Sequence, residues 1–349
     1  MGEIAALKIG LYQPQDRARW EEYLKGASTA TLYHDLGWKE VVEKSFGQKA
    51  YYWYAEDRSG QIRGIFPAIH LKSFLFGSFM VSLPYFNYGG ICAEDDFVAT
   101  ALLKEATEWA AEEKISHIEL RQEAPLNIGL PFKTAKVSMR LPLPSNSDEL
   151  FKTFDAKLRS QIRRPTKDGM IAKIGRIEEL DSFYSVFSEN MRDLGTPVYP
   201  TFFFKNILEA FPDTSWICTV YQNTLPVASG FLIGFRETLE IPWASSLRAY
   251  NRSGPNMLLY WTALSWACDR GYRVFDFGRS TPGEGTYKFK EQWGAKAVPL
   301  YWYYWMKNEG KLPELNPKNP KYAAAIQLWK KLPVGLTRMI GPAIVKNLP

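Results

Sequence analysis

The sequence predicts an α/β fold in which one β-α-α-β-β-β-α-β unit occurs twice in tandem. Three observations carry that prediction. The same order of elements is legible in both halves of the chain. Equivalent strands recur at a nearly constant offset: Trp216–Tyr221 follows Tyr51–Glu56 by 165 residues, and Arg273–Phe277 follows His117–Arg121 by 156. The chain has 349 residues, more than a single hydrophobic core usually organises.

In the first half, Leu7–Tyr12 reads as a strand, and Gln15–Leu24 and Leu36–Ser45 read as helices. The aromatic strand Tyr51–Glu56, the turn Asp57-Arg58-Ser59-Gly60 and the strand Ile62–Lys72 form a hairpin pattern. Extended sequence covers Phe79–Ile91, a helix runs from about Asp96 to Lys114, and His117–Arg121 closes the set. The second half repeats this order. Ala172–Arg176 is a strand, and Ile177–Arg192 and Pro200–Phe211 are helices. Trp216–Tyr221, Val227–Phe235 and Leu239–Ser245 are strands, and Arg273–Phe277 is the closing one. The last helix lies between Pro255, suited to the first helical position, and Gly271, suited to the stop.

The join falls at Arg140–Ser147, where prolines, serines and an asparagine punctuate the chain. An amphipathic helix is expected from Asp148, with Ser147 as N-cap and Pro165 and Gly169 ending it. Its residues Phe151, Phe154, Leu158 and Ile162 step by three, four and four onto one face. The predicted domains are 1–145 and 146–310, followed by a Pro-interrupted tail, 311–349.

Composition narrows the function classes. No apolar run approaches the roughly 18–20 residues of a membrane-spanning helix, and Met1–Gly10 lacks the pattern of a secretory leader. A soluble, cytoplasmic protein is expected. Cys92, Cys218 and Cys268 are odd in number and far apart, which favours buried thiols over a disulfide framework. His34, His70 and His117 show no metal-ligand spacing, so no metal site is predicted. A net charge of +6 is compatible with an anionic partner without requiring one. An aromatic share of 15% fills cores and also suits grooves for extended or lipid-linked ligands.

Two segments carry candidate chemistry. Ser253-Gly254-Pro255-Asn256 opens a helix after a strand, where free backbone N–H groups and the positive dipole end suit a phosphate or carboxylate. Arg248, Ser253, Gly254, Asn256 and Arg279 are the candidate donor- or phosphate-binding residues. The second segment, Val274–Ser280, is a short apolar strand ending in an acid, a glycine and a base, and it runs into the glycine-rich stretch Pro282–Lys290. Asp276, Tyr287, Lys288 and Lys290 are its candidate catalytic residues. Asp276 either orients or deprotonates a nucleophile, or bonds to its own loop as a strand-end residue. Asp276-Phe277-Gly278 is not a kinase loop, because no His-Arg-Asp segment precedes it. The chain also has no G-x-S-x-G elbow for a covalent serine route.

Phe275-Asp276-Phe277-Gly278, Gly285, Phe289-Lys290 and Trp293-Gly294 resemble the C-terminal signature of FemAB-type proteins. Leu83–Gly90, Lys157–Arg164, Leu194–Val198 and the tail with Trp329, Leu332-Pro333 and Gly341-Pro342 extend the resemblance over nearly the whole chain. The most similar group is the FemAB-related one associated with exosortase/PEP-CTERM exopolysaccharide systems. The resemblance implies two tandem GNAT-like domains, each with a mixed β-sheet flanked by helices. It also implies transfer of an acyl or aminoacyl group to an amine of a cell-envelope precursor, exopolysaccharide or peptidoglycan. Acyl-CoA or aminoacyl-tRNA is the implied co-substrate, and no permanently bound cofactor is implied. The sequence has no heptad-patterned insertion like the coiled-coil arm of some members.

Lys157, Arg159, Arg163 and Arg164, with Lys167, form a basic stripe suited to a tRNA backbone, a pyrophosphate or a lipid-linked phosphate, or simply a solvated helix face. Tyr85, Asn87 and Tyr88 before Gly89-Gly90 are candidates for an acceptor groove, with an aromatic turn packed on the core as the alternative. His34 and Trp38 are read as packing residues. The tail is read as packing back onto the protein, with peripheral contact at the inner face of the membrane as the alternative. Two other function classes stay open: a non-catalytic module binding polysaccharide or lipid-linked intermediates, and an RNA-binding protein using the basic stripe.

Overall fold

The computed structural model describes residues 7–73, 77–308, 312–313 and 320–348. Residues 1–6 of the segment read for a leader, and residues 311, 314–319 and 349 of the tail, lie outside the described residues. The chain divides into two compact units. One comprises Met1–Val137, Pro299–Glu314 and Asn347–Pro349, the other Ser138–Val298 and Leu315–Lys346.

The first unit contains β1 (Lys8–Leu11), α1 (Arg17–Gly26), α2 (Gly37–Phe46), β2 (Lys49–Glu56), β3 (Ile62–Ser73), β4 (Gly77–Val81), β5 (Cys92–Ala93), α3 (Asp96–Glu112), β6 (His117–Gln122) and β7 (Phe132–Lys133). The second contains β8 (Val137–Pro142), α4 (Ser147–Thr153), α5 (Ala156–Lys167), β9 (Met170–Gly175), α6 (Leu180–Leu194), α7 (Thr201–Ala210), β10 (Ser215–Gln222), β11 (Leu225–Phe235), β12 (Thr238–Ser246), α8 (Pro255–Asp269), β13 (Val274–Ser280), α9 (Gly285–Glu291) and β14 (Lys296–Pro299). The chain then supplies β15 (Tyr301–Met306) to the first unit, and α10 (Pro320–Trp329) and α11 (Val334–Val345) to the second.

One sheet runs β1-β2-β3-β4-β6-β15-β7 and the other β9-β10-β11-β12-β13-β8-β14. Place by place these are the same arrangement, so the repeat of elements is a repeat of topology. Both sheets are mixed: β4 and β6 are parallel, as are β12 and β13, while the hairpins are antiparallel. The sixth place in each sheet is filled from the other half of the chain. β15 pairs antiparallel with β6, Tyr303 opposite Leu120, and β8 lies beside β13. The expected division at 145 and 310 assigns Ser138–Ser145 to the first domain and Pro299–Gly310 to the second, whereas the compact units place both segments the other way. A strand belongs where its backbone N–H and C=O groups find partners, and chain proximity does not constrain that choice.

The first core lies between the sheet and α3 and includes Phe66, Met80, Leu102, Ile118, Leu120 and the imported Tyr303. In the second unit, Phe183, Phe187, Phe204, Phe231 and Trp243 interlock edge-to-face between α6, α7 and the sheet. All three cysteines are buried thiols, and none is joined in a disulfide. His34 and Trp38 are core residues, the histidine bonding Thr31 and the Gly90 carbonyl.

Three local expectations change. The helix expected from Asp148 is two helices, broken where Phe154 is extended, and Asp155 caps the second through its carboxylate to Leu158 N. The first is capped by Asn146 rather than Ser147. Pro165 does not end α5 but sits buried inside it, while Phe154, Leu158 and Ile162 are buried as the spacing required.

Candidate active site

The second unit is organised around a parting of strands. β12 and β13 are paired only at Thr238–Val274, Leu239–Phe275 and Glu240–Asp276. Beyond that point β12 continues to Ser246 and β13 to Ser280. Gly278, with φ of 73°, turns β13 in the left-handed region that glycine favours. Past Glu240 the pairing with β13 ends, and β12 runs on to Ser246 before the chain climbs to α8.

Asp276 fixes the parting point. It is fully buried (0% exposed). Its Oδ1 accepts from Ser138 Oγ at 2.5 Å and from Gly278 N at 2.7 Å, and Oδ2 accepts from Arg140 Nε at 3.0 Å. The carboxylate therefore holds its own loop and the imported strand β8, which is what a strand-end acid does when enclosed. Lys290 works from the other side. Its Nζ donates to the carbonyls of Gly278 and Arg279 at 2.9 and 3.0 Å, and it is 7% exposed. Burial pushes its pKa down to about 8, against the opposing pull of the Asp276 and Glu240 charges.

The segment expected as a glycine-rich loop is in part a helix, α9. Aromatic contacts pin it: Tyr260 on α8 stacks on Phe277 of β13 and meets Phe289 edge-on, and Trp293 packs on Phe154. Tyr287 is half-buried, and Lys288 and Arg279 are exposed. Ser280, the last residue of β13, is buried with no hydrogen-bond partner for its hydroxyl among the described residues.

At the start of α8, Gly254 is the N-cap and offers no side chain to the first-turn N–H groups. Its φ of 73° would strain any other residue, although a Cβ there meets nothing closer than 3.7 Å. Asn256 Nδ2 donates to Ser246 Oγ at 3.0 Å, tying the helix start to the end of β12. Ser253 is half-buried. Arg248 turns elsewhere, donating to the Asp193 carbonyl at 2.9 Å. Pro165 of α5 lies beside Gly254, which brings the basic helix to this end of α8. On α5, Lys157, Arg163 and Arg164 are exposed and Arg159 half-buried. Arg163 covers the Phe151 ring, and Arg164 pairs loosely with Asp168 at 3.6 Å.

The first unit has the same parting, and it is sewn shut. β4 and β6 are paired at Met80–Ile118 and Val81–Glu119. Beyond them, Arg121 donates to the Phe86 carbonyl at 2.6 Å and its main-chain carbonyl accepts from Gly89 N at 3.0 Å. Trp302 covers the Arg121 guanidinium, which also pairs with buried Glu119. Gly90 lies so close to Gln122 that a Cβ would sit 2.3 Å away, and Gly89 has φ of 124°, so both glycines serve close approach. Tyr88 is buried against Tyr33, Tyr85 is half-buried on Phe46 with φ of 74°, and the Asn87 carbonyl accepts from Trp302 Nε1. This segment is the core-packed aromatic turn rather than a groove wall. The N-terminus of α3 is also closed, because Asp95 Oδ1 accepts from Val98 N at 2.8 Å. A cavity of about 730 Å³ in this unit, lined in part by Arg19, Tyr23, Arg63 and Glu94, contains none of the expected site residues.

The sequence named Asp276 and Lys290 in one segment and Gly254 and Asn256 in another; in the structure the first two lie at the parting of the strands and the other two at the start of the helix above it. Sequence reasoning missed Arg140, the first residue of the stretch read as the join, Ser138 just before it, and Ser246 and Glu240, ordinary strand residues by pattern. Lys290 also yields a stability test. Below pH 8 the folded state carries a buried cation. Between pH 8 and the ordinary lysine value the unfolded chain holds a proton that the folded one has released, so stability rises with pH in that window. Relative to Lys290→Met, the wild type is expected to gain about 2 kcal/mol between pH 7.5 and 9.5 in denaturant unfolding. A constant difference between the two proteins would refute the burial of a charged amine.

Comparison with known proteins agrees with this geometry. Residues 152–291 match the model of the acetyltransferase (GNAT) domain, a range inside the second unit that includes β12, α8, β13 and α9. A search of the curated proteins found no match. Among solved structures, FemX is similar with a TM-score of 0.66 at 16% identity, covering 85% of this chain and 97% of that one. The C-terminal domain of a putative lysylphosphatidylglycerol synthetase from Agrobacterium fabrum gives 0.57 at 13%, covering 95% and 96%. A tandem GNAT protein from the clavulanic acid biosynthesis pathway gives 0.56 at 8%, covering 88% and 100%. At these identities the likeness is one of fold, and the fold is the tandem GNAT arrangement expected. The matched stretch gives the second unit a GNAT-type acetyltransferase domain, and the chain is an acyl-transferring enzyme.

Proposed function

We propose that the second unit transfers an acyl or aminoacyl group from an activated, phosphate-bearing carrier to an amine of a cell-envelope precursor, exopolysaccharide or peptidoglycan. The observation that carries this reading is the contrast between the units. The helix start at Gly254 has no side-chain cap and stands above parted strands, whereas its counterpart is capped by Asp95 and closed by Leu83–Ile91. An uncapped helix N-terminus beside a basic helix suits the phosphates of acyl-CoA or of the tRNA 3′ end.

In this reading the donor's carbonyl lies along the edge of β12 beyond its pairing with β13, where backbone N–H groups stabilise the oxyanion. The amine forms the new C–N bond and gives up a proton to solvent. The C–S or C–O bond to the carrier breaks, and the leaving group takes a proton from solvent. Asp276 and Lys290 are positioning residues that hold the parting open. Tyr287 and Lys288 are the accessible members of the set and orient the acceptor. The FemX and synthetase likenesses and the exosortase-type resemblance support a cell-envelope acceptor.

The test is label transfer from acyl-CoA and, separately, from aminoacyl-tRNA to amino sugars, peptide amines and lipid-linked precursors. One donor class is expected to support turnover. Gly254→Asp, which puts a negative charge at the helix start, is expected to lower kcat/KM at least about tenfold through KM for the donor relative to Gly254→Ala, which carries the same backbone strain. A tRNA donor further predicts steep loss of binding with salt and with Arg163→Ala. No transfer with either donor class, or full activity in Gly254→Asp, would overturn the reading.

A further inference from the structure

The two tail helices pack on the second unit through one face each. Trp329 is buried, and Ile326 lies against Gly195. Arg192 donates to the Leu332 carbonyl at 3.0 Å, and Arg338 Nε donates to Ser188 Oγ at 2.8 Å while covering the Tyr184 ring. Along α11 the buried positions Thr337, Gly341 and Val345 recur every fourth residue, with Gly341 against Val198. This much agrees with the tail packing back onto the protein.

The opposite face is unlike that of an ordinary surface helix. Leu336, Met339, Ala343 and Ile344 are exposed on α11, Met339 at 71%, and Ala323–Ala325 and Leu328 are exposed on α10, Leu328 at 64%. Four of the twelve large apolar side chains exposed among the described residues therefore fall between Leu328 and Ile344. Surface helices normally turn charges outward, yet the one charged residue of α11, Arg338, turns inward.

Charge identifies what this face meets. From Leu315 onward the chain has six of its 43 Lys and Arg and none of its 37 Asp and Glu, so the rest balances at 37 of each. Lys331 and Lys346 are exposed at the two ends of α11. An apolar face flanked by lysines fits the boundary between acyl chains and anionic headgroups. A second copy of this surface would set like charges against each other. With 12 residues α11 is about 18 Å long, too short to span a bilayer, and no helix among the described residues is long and apolar enough to cross one. We infer that the outward face of α10 and α11 docks on the surface of an anionic lipid bilayer, with α11 lying in the headgroup plane.

The inference is read by binding and stands apart from the acyl-transfer proposal, so either can fail without the other. The full chain is sedimented with vesicles of phosphatidylcholine alone and with vesicles that also contain phosphatidylglycerol. Binding to the anionic vesicles is expected to be at least about tenfold tighter and to weaken with salt. The double variant L328E/M339E is expected to lose it with an unchanged melting temperature, because these side chains are 64% and 71% exposed. No binding to anionic vesicles, equal binding by the variant, or equal affinity for the two lipid mixtures would overturn the proposal. So would a wild-type dimer in sedimentation equilibrium that the variant abolishes while vesicles go unbound, which would make the face a self-association surface.

Discussion

Tyr303→Ala, a substitution in the C-terminal part of the chain, is expected to unfold the first unit. Tyr303 is 2% exposed within the first core, and its hydroxyl both accepts from Leu126 N at 2.9 Å and donates to Leu126 O at 3.1 Å. Truncating a buried aromatic costs about 3–5 kcal/mol, and two unpaired backbone groups add about 1–3 kcal/mol more. That is a large share of the roughly 5–15 kcal/mol that holds a domain. Hydrogen exchange should show lost protection in β6, β4 and β3, with β10–β12 protected as before. Loss confined to residues after 298, or spread evenly over both sheets, would show that β15 is not integral to the first sheet.

The reciprocal experiment is Asp276→Ala. It removes at once the acceptor of Ser138, Arg140 and Gly278 N. Breaking a buried pair usually costs about 3–5 kcal/mol. Arg140 keeps 27% of its side chain in solvent, so the lower end, about 3 kcal/mol, is expected. At 2–4 °C per kcal/mol for a unit of this size, the melting temperature should fall by about 6–12 °C. In the acyl-transfer reading donor turnover should fall with it, and Ser138→Ala should reproduce a milder version, about 1 kcal/mol. A melting temperature within about 2 °C of wild type would remove the structural role of the carboxylate.

Much of this was legible in the chain. The element order, the repeat and the helix limits at Pro255 and Asp96 follow from local periodicity and turn chemistry, which act within a few residues. The glycines at 89, 90 and 254 stood out because their conformation or crowding leaves a mark on residue type. The break at Phe154 was also marked, since Asp155 three residues before Leu158 is a cap signal, but the continuous apolar stripe Phe154-Leu158-Ile162 hid it. Burial was harder to read. Nothing in the run Val274–Ser280 indicates that Asp276 is enclosed rather than presented to a ligand. Its partners Ser138 and Arg140 lie more than 130 residues away.

By itself, then, the sequence determined two like units and the place of the helix start at Pro255. Only the tertiary structure decided that β8 and β15 complete sheets in the opposite units, that one parting of strands is sewn shut and the other is not, and which face of the tail meets solvent. Local propensity acts through a residue's own neighbours, whereas these outcomes depend on which distant backbone edge or side chain satisfies a hydrogen bond that water no longer can.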